Sequence, residues 1–139
     1  MESQLSNPTM ELQVMIFVGL GFRKAVTPQS FEDLLYQVFD LTELPGPIEA
    51  LATLDTKAFY PALQKFVAAR KVTLIPVPMA NLQRQITPTQ SSAAQAAYGL
   101  GSIAEAAALA AAGNRSSLIF KRIISNDKLA TCALAKGSS

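Results

Sequence analysis

The chain has 139 residues, half of them hydrophobic and 16% charged, with 12 Lys plus Arg against 10 Asp plus Glu. That length buries roughly two-thirds of its unfolded surface, which fits one core and excludes a second, and the apolar content excludes a disordered chain. A net charge of +2 without basic blocks leaves no electrostatic footprint for nucleic acid, while the lack of histidine and the single Cys132 exclude Ser-His, Cys-His and His-metal arrangements and any internal disulfide.

Residues 1 to 11 are polar with a proline and read as a flexible arm ahead of a single domain over residues 12 to 139. No cationic leader precedes an apolar segment, and the apolar stretch from Val14 to Phe22 is shorter than the roughly 20 residues of a spanning helix. A cytoplasmic protein without membrane contact is expected.

The first element, VMIFVGL from Val14 to Leu20, is a continuous apolar run suited to a central strand covered on both faces. It leads through Gly21 to the basic pair Arg23-Lys24. Thr27-Pro28-Gln29-Ser30 then supplies a capping hydroxyl and a proline suited to a first helical turn. Phe31, Leu34, Leu35 and Val38 follow at i, i+3, i+4 and i+7, with Glu32 and Asp33 near the positive end of the helix dipole. After a break at Glu43-Leu44-Pro45-Gly46-Pro47, Ile48 to Leu54 reads as a second strand closed by Asp55, Thr56 and Lys57. Phe59, Ala62, Leu63, Phe66 and Val67 repeat with helical spacing, with Pro61 in the first turn and Arg70-Lys71 at the C-terminal end.

Val72 to Val77 reads as a third strand, and the weakly patterned stretch after it, with Pro78 and Pro88, as a long binding loop. Ser102-Ile103-Ala104-Glu105 is a capping box, opening a small-residue helix that stops at Gly113-Asn114. Ser117 to Ile124 and Leu129 to Ala135 complete the chain as a C-terminal antiparallel hairpin. This order predicts the α/β class, a single three-layer α/β/α domain with a mixed sheet of about five strands.

Three polar segments follow or precede the apolar runs: Gly21-Phe22-Arg23-Lys24, Thr53-Leu54-Asp55-Thr56-Lys57 and Gly99-Leu100-Gly101-Ser102. In an open α/β sheet ligands collect beyond the carboxyl ends of parallel strands, where helix N-termini also present free amides. Convergence of the three would bring Arg23, Lys24 and Lys57 beside close-approach glycines, a chemistry for carboxylate or phosphate. Gly19-Leu20-Gly21 suggests a dinucleotide fingerprint, but Lys24 stands where its third glycine belongs. Each residue also has a plainer reading: Asp55 or Thr56 capping a helix, Lys57 in solvent, Glu105 in reciprocal capping with Ser102, Lys121 on an exposed strand face. Cys132 reads as a small core residue.

Taken together, V-G-L-G-F-R-K at 18 to 24, L-A-T-L-D-T-K at 51 to 57 and G-L-G-S-I-A-E-A-A-A-L at 99 to 109 resemble the CobE family and the homologous C-terminal domain of CbiG proteins, both of cobalamin biosynthesis. The resemblance runs from about residue 12 to residue 135. That family usually reads G-C-R-R-G, then A-T-x-D-x-K, then G-x-x-S-V-A-E-A-A-A-L before a strand carrying a lysine. Thr53, Asp55, Lys57, Ser102 to Leu109 and Lys121 keep the pattern, while Phe22 stands at the usual cysteine, Lys24 at the second arginine and Ala25 at a common glycine.

The resemblance implies a protein that binds a polycarboxylate corrin or precorrin intermediate, of the hydrogenobyrinic acid type, in a basic cleft. No metal or other cofactor is expected, and other enzymes of the pathway are expected partners. Arg23, Lys24, Lys57 and Lys121 would pair with carboxylates, and Gly21 and Gly101 would admit the ligand. Thr53, Asp55, Ser102 and Glu105 would orient its polar edges. The alternative is a hydrolase, or its subunit, opening the cobalt-precorrin-5A lactone with release of acetaldehyde, for which Asp55 and Glu105 are the catalytic candidates.

Overall fold

The computed structural model describes residues 14–41, 43–98 and 101–138. The arm read over residues 1 to 11, and Gly99 and Leu100 of the third polar segment, lie outside them. Five strands form one mixed sheet: β1 (Val14–Phe22), β2 (Ile48–Leu54), β3 (Leu74–Val77), β4 (Ser117–Ile124) and β5 (Ala130–Ser138), in the order β3-β2-β1-β5-β4. β1, β2 and β3 are parallel, while β5 runs antiparallel between β1 and β4. The last strand thus inserts beside the first, and its pairing carries β1 two residues past the expected end, to Phe22 opposite Ala130.

Alternation along β1 assigns its two faces. Ile16, Val18, Leu20 and Phe22 pack against Phe31, Leu34, Leu35 and Val38 of α1 (Pro28–Leu41) and Leu63 and Phe66 of α2 (Pro61–Arg70). α1 starts where expected, with Thr27 and Ser30 exchanging amide-to-hydroxyl hydrogen bonds of 3.2 Å. α2 begins only at Pro61 because Asp55–Lys57 forms a single 3-10 turn first. Phe59 therefore falls before the helix and stands 77% exposed, not on its apolar face as its spacing suggested.

The opposite face is covered by α5 (Ile103–Ala112), whose alanines let it approach the sheet closely. Gly19 and Gly21 lie beneath it, and a Cβ at Gly19 would overlap the Ala104 carbonyl oxygen. The helix ends at Gly113, where φ of 90° suits only glycine. The stretch after β3 contains two short helices, α3 (Met79–Gln83) and α4 (Ser92–Tyr98), instead of a continuous loop. β3 itself starts at Leu74, two residues later than its apolar pattern. No helix among the described residues is long and apolar enough to cross a membrane.

Candidate functional site

At the carboxyl ends of β1 and β2 the chain leaves a cleft of about 330 Å³. Gly21, Arg23, Lys24, Lys57 and Ser102 line it, so members of all three polar segments meet there. The hairpin contributes the opposite wall with Arg122, Lys128 and Thr131, and Ser91 closes another side. Among the described residues, five cationic side chains and no carboxylate line this cleft. The N-terminus of α5 adds its partial positive charge, at Ser102 and Ile103.

The second polar segment is built to finish the β1 edge. Backbone pairing between β1 and β2 stops at Gly19 and Ala52. Beyond that point side chains take over the β1 carbonyls: the buried Thr53 hydroxyl donates to Leu20 O at 2.8 Å and Lys57 Nζ to Phe22 O at 2.9 Å. The Tyr60 hydroxyl donates to the carbonyl of Lys24, two residues further on. Lys57 Nζ also lies 5.0 Å from the Phe22 ring centroid, a cation–π distance. Burial, with the neighbouring charge of Lys24 adding to it, lowers the Lys57 pKa from its ordinary value.

Phe22 closes the cleft floor, with Phe31 edge-on and Tyr60 tilted against it, each at 5.4 Å between ring centroids. The position that is usually a cysteine in the family is thus an aromatic contact here. The one thiol, Cys132, is buried in the core and its pKa is pushed up to about 12 by that burial, so it stays protonated and unreactive.

Five of the expected residues do not line the cleft. Thr53 is wholly buried in its bond to Leu20. Asp55 opens the 3-10 turn, where its carbonyl accepts the Ala58 N–H at 3.2 Å, and no side-chain cap bond precedes that turn. Gly101 packs so tightly that a Cβ would lie 2.5 Å from the Thr87 hydroxyl. Glu105 is fully buried. Ser102 does cap its amide, at 3.2 Å, but the Glu105 carboxylate leaves the reciprocal capping bond aside and turns to Thr89 and Arg122.

Lys121 is exposed, and Arg122 faces the cleft in its stead. The cause is a register shift: β4 has one residue more than β5 between Leu118 and Phe120 and another between Phe120 and Ile123, and the second β-bulge reverses the alternation after Phe120. Arg122, Lys128, Thr131 and Ser91 carry no local signal for the cleft; Arg122 beside a strand lysine was the nearest to one.

Lys128 sits in the turn between β4 and β5 with φ of 64°. Asp127 fixes that turn against α1: its carboxylate accepts from the Ser30 and Ser125 hydroxyls, both at 2.6 Å, and from the Leu129 N–H at 3.0 Å. Hydrogen bonds from Ser125, then Ser30, then Leu129 lower its pKa. A depressed carboxylate stabilises the fold above its unfolded pKa of about 3.9, and that contribution is lost as pH falls through the folded value. Asp127→Asn is therefore expected to flatten the acid limb of thermal stability below about pH 4; an acid limb identical to wild type in differential scanning calorimetry would contradict this clamp.

A three-layer α/β domain with a cation-lined cleft at the carboxyl edge of its parallel strands is the class of protein that fold and site define. The family model described as cobalamin synthesis G C-terminus matches residues 16–135, and the chain belongs to this family, among the proteins of cobalamin synthesis. The fold is similar to the crystal structure of CobE, a protein from the cobalamin (vitamin B12) biosynthetic pathway, with TM-score 0.81 and 25% identity over 94% of this chain and 96% of that one. It is similar to cobalamin biosynthesis protein chiG from Agrobacterium tumefaciens (TM-score 0.67, 23% identity, 89% of this chain and 99% of that one). In a putative cobalamin biosynthesis protein G homolog from Sulfolobus solfataricus, 90% of this chain corresponds to 37% of that one, with TM-score 0.60 and 22% identity. Comparison with curated proteins found no match.

Proposed function

We propose that the cleft binds a polycarboxylate corrin or precorrin intermediate of cobalamin synthesis and hands it on within the pathway. The observation that carries this reading is the lining: among the described residues, five cationic side chains and no carboxylate, beside a helix N-terminus. Like charges held this close repel one another, and several acid groups on one rigid frame relieve that repulsion together. A volume of about 330 Å³ suits one acid-bearing edge of a macrocycle, with the remainder outside. Binding is favoured over lactone hydrolysis because a hydrolase needs a base at the cleft surface, and Asp55 and Glu105 are not among its lining residues.

The test is to mix the protein with hydrogenobyrinic acid and follow the visible spectrum and co-elution on gel filtration. Co-elution that weakens with salt is expected, since the pairing is electrostatic; pigment that stays free at micromolar protein rejects the reading. A pH profile adds a second check. A bound carboxylate favours charged Lys57, so affinity is expected at full strength below the lowered Lys57 pKa and to fall as pH rises through it. Lys57→Arg, always charged, is expected to remove that alkaline loss. An unchanged alkaline limb in Lys57→Arg would exclude Lys57 as the titrating contact.

A further inference from the structure

Three walls of the cleft share one internal anchor. The fully buried Glu105 carboxylate accepts the Thr89 N–H at 2.9 Å, the Thr89 hydroxyl at 2.6 Å and the Arg122 N–H at 2.7 Å, all of them neutral donors. Glu105 itself belongs to the first turn of α5, whose cap Ser102 lines the cleft. Thr89 lies two residues before Ser91, another lining residue, whose N–H donates to Gly101 O at 2.7 Å. Arg122 supplies a lining cation from β4.

The bulge gives the third bond its meaning. Without the extra residue between Phe120 and Ile123, alternation would bring Lys121 to the phase that Arg122 now has. The shift frees the Arg122 N–H from the ladder to β5, and Glu105 accepts it. A buried N–H left without an acceptor is strongly disfavoured, so this bond holds the shifted register. We infer that Glu105 is a positioning residue that keeps the Arg122 side chain in the cleft through the backbone of the bulge. The inference rests on the reading of the cleft as a carboxylate site and gives Glu105 a role there without contact to the ligand.

Glu105→Gln isolates this role because the shape is kept while one oxygen becomes a donor. In one orientation the new NH2 group opposes the Arg122 N–H, and in the other it opposes the Thr89 N–H, so one backbone bond must break. The experiment measures citrate affinity, as a simple tricarboxylate probe, for wild type, Glu105→Gln, Arg122→Ala and the double variant. Glu105→Gln is expected to weaken citrate about tenfold in the wild-type background and less than about twofold when Arg122 is already alanine, the signature of residues acting as one network. A general loss of structure would weaken binding equally in both backgrounds, and that result overturns the inference, as does full affinity in Glu105→Gln.

Wild-type protein that holds neither citrate nor hydrogenobyrinic acid rejects the cleft reading and this inference together. Binding by wild type with additive losses rejects the inference alone.

Discussion

Reversing two of the five cleft cations, Arg23→Glu with Arg122→Glu, is expected to weaken hydrogenobyrinic acid by about a thousandfold or more. Each reversal removes a charge-assisted pair and sets a carboxylate against the acid fringe of the ligand, and facing like charges disfavour a complex by several kcal/mol. Arg23 directly follows the end of β1 and Arg122 lies on β4, with β5 between the two strands, so they meet the ligand from different sides. Arg23 is exposed and Arg122 half-buried, and the change leaves the hydrophobic core untouched. Unfolding midpoints near wild type should therefore accompany the loss. Retention of pigment within about tenfold of wild type, in a spectral titration, would show that the ligand is held elsewhere.

The largest effect on folding is expected from Gly19→Ala. Gly19 lies one residue past the middle of the central strand, and its missing side chain is the space in which α5 lies. A methyl group there would overlap the Ala104 carbonyl and sit 2.5 Å from the Ala108 amide nitrogen, both backbone atoms that cannot rotate aside. Overpacking of a core commonly destabilises by about 1–3 kcal/mol, and obstruction by backbone on both sides puts this case at or above the upper end. A shift of roughly 10 °C or more in the melting temperature follows for a domain of this size. Gly21→Ala is the graded comparison: its Cβ would meet the Thr131 hydroxyl at 3.0 Å, a contact that a side-chain rotation relieves. Equal stability for Gly19→Ala and wild type would mean that α5 does not rest on this residue. Because α5 carries Ser102 and Glu105, displacement of the helix should also weaken anion binding.

Patterns that depend on neighbours in sequence were legible without coordinates. The uninterrupted apolar run of β1, the helical spacing of Phe31 to Val38, the cap at Ser102 and the stop at Gly113 each express a local steric or hydrogen-bond rule, and each element formed over the residues that rule covered, β1 running two residues further. The same holds for the meeting of Arg23, Lys57 and Ser102, because parallel strands joined through helices send the segments after them to one edge of the sheet. Where local rules competed, they misled: Phe59 fits the helical spacing, yet the 3-10 turn at Asp55–Lys57 delays the helix past it. Thr53 and Lys57 were recognisable as a pair, but their duty as acceptor-fillers for β1 depended on where the ladder to β2 ended.

What local sequence settled on its own is the α/β architecture and the cationic character of one sheet edge. The tertiary structure alone decided which cations enter the cleft, admitting Arg122 and Lys128 and leaving Lys121 outside. The physical reason lies in the length of the connections. Over the paired segment β4 carries two residues more than β5, and the second, between Phe120 and Ile123, reverses the alternation after Phe120; the partners that hold it, Glu105 and β5, are distant along the chain or set by strand order. Periodicity reads only the nearest neighbours, so it cannot register a bond that exists only after the sheet has closed.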